Sequence, residues 1–255
     1  MNRLIPNIFT LFNLFLGCMA IVAVMQSSLT MSIEADGSSV VVLPEKIYMA
    51  SILVACAAVI DFLDGFVARL LKTPSELGKQ LDSLADVVSF GVVPGLIAFQ
   101  FLRFAYAQQE DGLDINALWL LPAFVIPCAG AYRLARFNID TSQSYGFKGV
   151  PIPAAGILIA SFPLIYWYTT EEWVIKLLVN KWFWYVVIIL ISYLMISTLP
   201  MMALKFKNVT IKDNWPKLVM LLVAVLAAIL FQWLAVPVVF VVYVILSLSL
   251  KQEKV

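Results

Sequence analysis

The chain has 255 residues, of which 62% are hydrophobic and 13% charged, with a net charge of +1 and no histidine. Its mean hydropathy of +0.95 excludes an ordinary soluble domain and places it among polytopic membrane proteins. The basic residues form no continuous patch, so nucleic acid is not an expected partner, and without histidine any acid–base or metal chemistry falls to carboxylates.

Taken in chain order, apolar runs long enough to span a bilayer occur at 7–25, 47–71, 83–106, 117–137, 152–169 and 183–203. A last run, 218–250, is too long for one crossing and divides at Gln232 to Pro237 into a hairpin of two short helices. The predicted fold is therefore all-α: a polytopic integral membrane bundle of about eight transmembrane helices, forming one domain over 1–255. The first run lacks a small-residue cleavage pattern and is expected to stay as a membrane helix. The basic residues alternate with these spans. Arg3, Arg69, Lys72, Lys79, Arg133, Arg136, Lys148, Lys205, Lys207, Lys212, Lys217, Lys251 and Lys254 fall on one side, against Lys46, Arg103, Lys176 and Lys181 on the other. Thirteen against four predicts that both termini are cytoplasmic in a cell (inner) membrane. Cys18, Cys56 and Cys128 lie in apolar stretches without CxxC spacing and are expected to be inert core thiols.

The stretch DFLDGFVARLLKTPSELGKQLDSLAD, 61–86, sets four aspartates, Asp61, Asp64, Asp82 and Asp86, into apolar surroundings. Ionised carboxylates at membrane depth are costly and are normally paired, metal-bound or part of a substrate path. On one helix, Asp61, Asp64, Gly65, Ala68 and Arg69 share a stripe; on the next, Gly78, Asp82 and Asp86 share a face. Thr73-Pro74-Ser75-Glu76 reads as a capping box opening that second helix. The two acidic faces are expected to oppose each other across a tight turn. Four acids outnumber the nearby Arg69 and Lys79, so ion pairing alone does not account for them. Oxygen donors without nitrogen or sulfur favour Mg²⁺ or Mn²⁺, with Ca²⁺ an alternative. Such ions beside a guanidinium make a receptor for pyrophosphate, and glycines at 65 and 78 leave room for a nucleotide.

The pattern D-x2-D-G-x2-A-R-x8-G-x3-D-x3-D is met here at every fixed position, and it resembles the signature of the CDP-alcohol phosphotransferase family. The segments IPNIFTLFNLFLG, SFGVVPG, YRLARFN and FKGVPIPAAG, which lie between residues 5 and 156, resemble the bacterial integral-membrane phosphatidylserine synthase branch. The resemblance implies transfer of a phosphatidyl group from CDP-diacylglycerol to the hydroxyl of L-serine, with CMP released. It implies a pair of divalent ions held by Asp61, Asp64 and Asp82, with Asp86 as general base and a further ligand. Gly65, Ala68, Arg69 and Gly78 would line the CDP site, and a homodimer is expected on the same ground.

Weaker signals flank this core. Asn7, Thr10 and Asn13 form a polar stripe on the first helix, suited either to the nucleotide or to hydrogen bonds between helices. Arg133, Arg136, Asn138 and Lys148 would hold the serine carboxylate or a phosphate, or else serve as membrane anchors. Ser83 and Ser89 are expected to bond their own backbone. Trp167, Tyr168, Trp173, Trp182, Trp184 and Tyr185 read as an interfacial belt, and the lysines of 205–217 as headgroup contacts. The rivals are a sister enzyme accepting glycerol phosphate, inositol or choline and, in another class, a divalent-cation transporter.

Overall fold

The computed structural model describes residues 4–33, 39–71, 75–109, 112–140, 147–202 and 211–249. Its frame is helical because nearly every long segment is apolar all round, and only a helix satisfies its own backbone inside hydrocarbon. The helices are α1 (Leu4–Gln26), α2 (Ile47–Leu70), α3 (Glu76–Asp86), α4 (Val93–Ala107), α5 (Val125–Ile139), α6 (Ile152–Tyr168), α7 (Glu172–Leu178), α8 (Lys181–Ile196), α9 (Ile211–Phe231) and α10 (Ala235–Ser249). A π-helical turn, Val87–Val92, joins α3 to α4 without interruption. Two short antiparallel ribbons complete the chain: β1 (Thr30–Ile33) with β2 (Ser39–Val42), and β3 (Phe147–Lys148) with β4 (Pro200–Met201).

Four helical stretches among the described residues are long and apolar enough to cross a membrane: Ile5–Gln26, Ile47–Leu70, Glu76–Ala107 and Asn214–Ser249. The pair α7–α8, bent by 71°, makes a fifth if it is one span. The count of eight is not reached on length. The expected span at 117–137 is broken into 3₁₀ turns at Ala117–Trp119 and Leu121–Phe124 before α5 begins. Pro122 in this stretch has no N–H to continue a helical ladder. The last run does break where expected. Gln232, at φ 50°, is the only non-glycine residue with positive φ among those described, and α10 packs back along α9.

The stretch 76–107 is the centre of the bundle, with 67% of its apolar window buried, against 28% for each of the first two helices. Phe90, Phe101, Ile97, Ile159 and Trp184 are fully enclosed there. Helices approach closely where side chains are small: a Cβ on Gly156 would lie 2.8 Å from the Phe90 backbone. The outer faces carry large exposed apolar residues such as Phe62, Phe66, Ile189 and Ile229, the surface a lipid-facing bundle presents. Cys18, Cys56 and Cys128 are exposed on those faces rather than in the core. Trp184 departs from the expected belt: it stacks on Phe101 at 4.7 Å and its indole N–H donates to Leu178 O. Trp173 and Trp182 are exposed, as a belt requires.

Candidate active site

The acidic residues reach one place through two helices. Asp61 and Asp64 occupy the last turns of α2; Asp82 and Asp86 occupy α3, which opens on Ser75, whose hydroxyl accepts from Gly78 N at 3.0 Å. The helix thus starts at Glu76, with Ser75 as its cap in place of the expected Thr73. Thr73 and Pro74 lie outside the described residues. Oxygens of Asp61, Asp64 and Asp82 all lie within 4.8 Å of one another. Asp86 stands beside Asp61 on the buried side, 6% exposed, and its Oδ1 has no hydrogen-bond partner. Thr10 of α1 closes the third side and donates its hydroxyl to Asp64 Oδ2 at 2.6 Å.

Among the described residues no salt bridge involves these four carboxylates. Neither nearby base forms an ion pair with them, although the Arg69 charge is felt at Asp64. Lys79 donates to Asn138 O at 3.1 Å, and Arg69 is an exposed side chain lying over Gly65, where a Cβ would come 3.5 Å from its Nη1. Four neighbouring acids in a low-dielectric setting need a counter-charge. An all-oxygen set with one orphaned inner oxygen fits a hard divalent cation.

The four residues expected to bind an anion separate on contact. Arg136 is committed to backbone: its guanidinium donates to Ile196 O at 2.8 Å and Ser197 O at 2.9 Å, tying α5 to the end of α8. Lys148 pairs with Asp140 at 2.9 Å. Asn138 donates to Ser83 Oγ at 2.8 Å. Arg133 differs, being 5% exposed with an unpartnered Nε and stacked on the Phe137 ring at 5.7 Å. Its electrostatic neighbours are Asp86, Arg136 and Tyr243 of α10.

Asn7 is half-buried against α3: a Cβ on Gly78 would lie 3.1 Å from its Oδ1 and 3.0 Å from Ser75 Oγ. Gly78 therefore sets the approach of α1. Ser83 bonds its own helix, to Lys79 O at 3.1 Å, as expected. Ser89 does not: its hydroxyl crosses to Asn13 O at 3.1 Å. The π-helical turn that aims Ser89 and the reach of Tyr243 into this end of the bundle carry no signal in apolar periodicity, and sequence reasoning missed both.

A model of the family described as CDP-alcohol phosphatidyltransferase matches residues 3–179, which include every residue of this cluster except Tyr243. The chain belongs to the CDP-alcohol phosphatidyltransferase family. A CDP-diacylglycerol–serine O-phosphatidyltransferase of Helicobacter pylori is 40% identical to this CDP-alcohol phosphatidyltransferase family member over 158 residues, covering 61% of this chain and 55% of its own. One of Mycobacterium tuberculosis is 30% identical over 203 residues, 76% and 65% of the two chains. An archaetidylserine synthase of Methanothermobacter thermautotrophicus is 37% identical over 124 residues, 47% and 48% of the two. The chain thus spans between about half and just under two thirds of these curated relatives.

Two glycine substitutions separate ligand contact from packing in this family member. Gly65→Leu meets only the flexible end of Arg69. It is expected to raise KM for the nucleotide substrate at least tenfold with the melting temperature unchanged. Gly78→Leu pushes against Asn7 and the Ser75 cap and should lower the melting temperature as well. Initial-rate kinetics and thermal melting of the purified variants check both; equal melting losses would make Gly65 a packing residue.

Proposed function

We propose that this chain transfers the phosphatidyl group of CDP-diacylglycerol to the hydroxyl of L-serine, forming phosphatidylserine and releasing CMP. The observation that carries the proposal is the convergence of Asp61, Asp64 and Asp82 oxygens within 4.8 Å beside a buried Asp86, on a segment matched by the family model. The names of the relatives support serine as acceptor.

Asp61, Asp64 and Asp82, with Asp86 sharing, would hold two divalent ions, Mg²⁺ or Mn²⁺, with Ca²⁺ an alternative at one. Bound there, such ions supply positive charge against the phosphate oxygens of the donor. The protein's own groups do the rest. Thr10 holds Asp64 in its ligating orientation, and Asn7, Gly65, Ala68, Arg69 and Gly78 line the CDP pocket, Arg69 adding an exposed guanidinium. Asp86 accepts the proton of the serine hydroxyl as its oxygen bonds to phosphorus; the bond from phosphorus to the CMP oxygen breaks, and CMP leaves with that electron pair.

Arg133 is the anion receptor for the serine carboxylate, because among the four expected residues it alone is buried, with its Nε unpartnered. Losing one charge-assisted hydrogen bond costs about 1.5–3 kcal/mol. Arg133→Gln should therefore raise KM for serine roughly ten- to hundred-fold, with KM for CDP-diacylglycerol moving less than about threefold. Arg136→Gln should lower thermal stability while leaving that ratio alone. Initial rates at varied serine decide between them; a parallel rise in both constants for Arg133→Gln would place it on the nucleotide instead.

In the cell the chain is proposed to be one domain making eight crossings, α5 and α6 being short spans and α9–α10 a hairpin. The site would open to the cytoplasmic face of the inner membrane, and the assembly would be a homodimer among membrane lipids. The test of the central claim is incorporation of labelled serine into lipid by the purified protein with CDP-diacylglycerol, with one CMP formed per lipid. Preference for glycerol phosphate, inositol or choline would replace serine as acceptor. Cation flux without lipid product would overturn the transferase altogether.

A further inference from the structure

We propose that a cavity at the end of the bundle opposite the aspartates binds a zwitterionic phospholipid by its ammonium headgroup, with Tyr168, Trp233 and Glu171 as the receptor. Its place is set by α2. Tyr48, in the first turn of that helix, lies 6.3 Å ring to ring from Tyr168. Asp64 is near the other end of the same helix, about 24 Å away at roughly 1.5 Å per residue. Tyr168 and Thr169 at the end of α6, Glu171 just beyond, and Gln232 and Trp233 in the turn between α9 and α10 line a cavity of about 370 Å³, a size that takes a small ligand or a headgroup. Buried Ile165 gives it one apolar wall.

The chemistry of the lining selects a cation. The Tyr168 and Trp233 rings lie 6.3 Å apart, tilted by 42°, so one ammonium can lie within about 6 Å of both centroids. Glu171 lines the same cavity, and its carboxylate forms no salt bridge among the described residues. No lysine or arginine lines it among those residues, so a purely anionic ligand would find no counter-charge. Thr169 Oγ1 accepts from Glu171 N at 3.2 Å, which leaves the threonine proton for a phosphate oxygen. An aromatic belt accounts for a tryptophan at the end of a span, but not for the residue beside it. Gln232 holds the positive-φ position after α9, where glycine is usual because it has no Cβ. Non-glycine residues held in such conformations cluster at ligand clamps, and here the carboxamide adds a second donor for the phosphate. Leu222, Leu226 and Ile229 continue from this turn along one exposed face of α9, a track for an acyl chain that a soluble amine would leave unused.

The full chain in detergent is titrated with phosphatidylethanolamine or phosphatidylglycerol of identical acyl chains, and bound lipid is counted by native mass spectrometry. Phosphatidylethanolamine should bind the more tightly, by about fivefold, the worth of one exposed ion pair at its upper end. Trp233→Leu should weaken it roughly three- to thirty-fold, the range for a cation over an aromatic face. Glu171→Gln should weaken it about two- to fivefold. Trp233→Phe keeps a ring and should recover most of the loss, so a lower melting temperature in Trp233→Leu leaves the decision to Trp233→Phe and Glu171→Gln. Phosphatidylglycerol binding should not move in any of them. Asp61→Asn should bind phosphatidylethanolamine as the wild type does, which keeps this site independent of the proposed transfer. Equal affinity for the two lipids overturns the proposal, as does phosphatidylethanolamine binding unchanged in both Glu171→Gln and Trp233→Leu. Displacement of the lipid by an equal concentration of glycerophosphoethanolamine, its soluble headgroup, would make the occupant a free amine and also overturn it.

Discussion

Asp61→Asn and Asp82→Asn should each abolish phosphatidyl transfer while the protein still inserts and purifies. Asparagine matches the shape of aspartate but removes one of the three charges that converge within 4.8 Å. A hard cation then loses an anionic ligand it cannot replace from nitrogen or sulfur. Stability should move the other way in the absence of metal. With no salt bridge reaching the cluster among the described residues, like charges repel, and removing one relieves the strain. In EDTA both variants are thus expected to melt at or above the wild-type temperature. Added Mg²⁺ or Mn²⁺ should raise the melting temperature and restore the activity of the wild type alone, because a ligand that binds only the folded state stabilises it. Transfer above about a tenth of the wild-type rate at saturating metal would sink the assignment.

Asp86→Asn should slow the chemical step by roughly 10²–10⁴-fold, the usual contribution of a positioned base, with much smaller loss in nucleotide binding. The distinction from its neighbours is geometric. Asp86 lies outside the set of three converging oxygens, with its Oδ1 buried and without a hydrogen-bond partner, and Arg133, the proposed receptor for the acceptor's carboxylate, is close by. Nucleotide affinity and single-turnover rate measured on the same variant separate the two roles. If affinity falls in parallel with rate, Asp86 is chiefly a ligand, and the proton must go elsewhere.

Much of the candidate site was readable in the chain because it is local. Asp61, Asp64, Gly65 and Arg69 share a stripe by helical geometry alone, and Asp82 and Asp86 do so one helix later. What could not be read is which polar group beside them is free. Arg133 and Arg136 sit three residues apart on α5 and looked equivalent; the end of α8 occupies Arg136 and leaves Arg133 buried beside Asp86. Ser83 and Ser89 looked alike as well, yet one bonds its own helix and the other reaches Asn13. The cap at Ser75 and the breaks before α5 shifted for a related reason, since helix ends depend on one or two hydrogen bonds and several neighbouring residues compete for them.

By itself the sequence determined that the chain is helical, with several segments apolar enough to cross a membrane, because a long segment that is apolar all round satisfies its backbone in lipid through its own helical hydrogen bonds. It also set four acids, without matching bases, at the facing ends of two successive helical segments. Tertiary structure decided the rest. Packing brought α1 against α3 and the π-helical turn so that Thr10 holds Asp64 and Asn13 O receives the Ser89 hydroxyl, and it spent Arg136 and Lys148 on other partners while sparing Arg133. The division follows from range. Composition and helical periodicity are properties of neighbours along the chain, whereas a hydrogen-bond partner is settled by whichever distant group arrives first within about 3 Å.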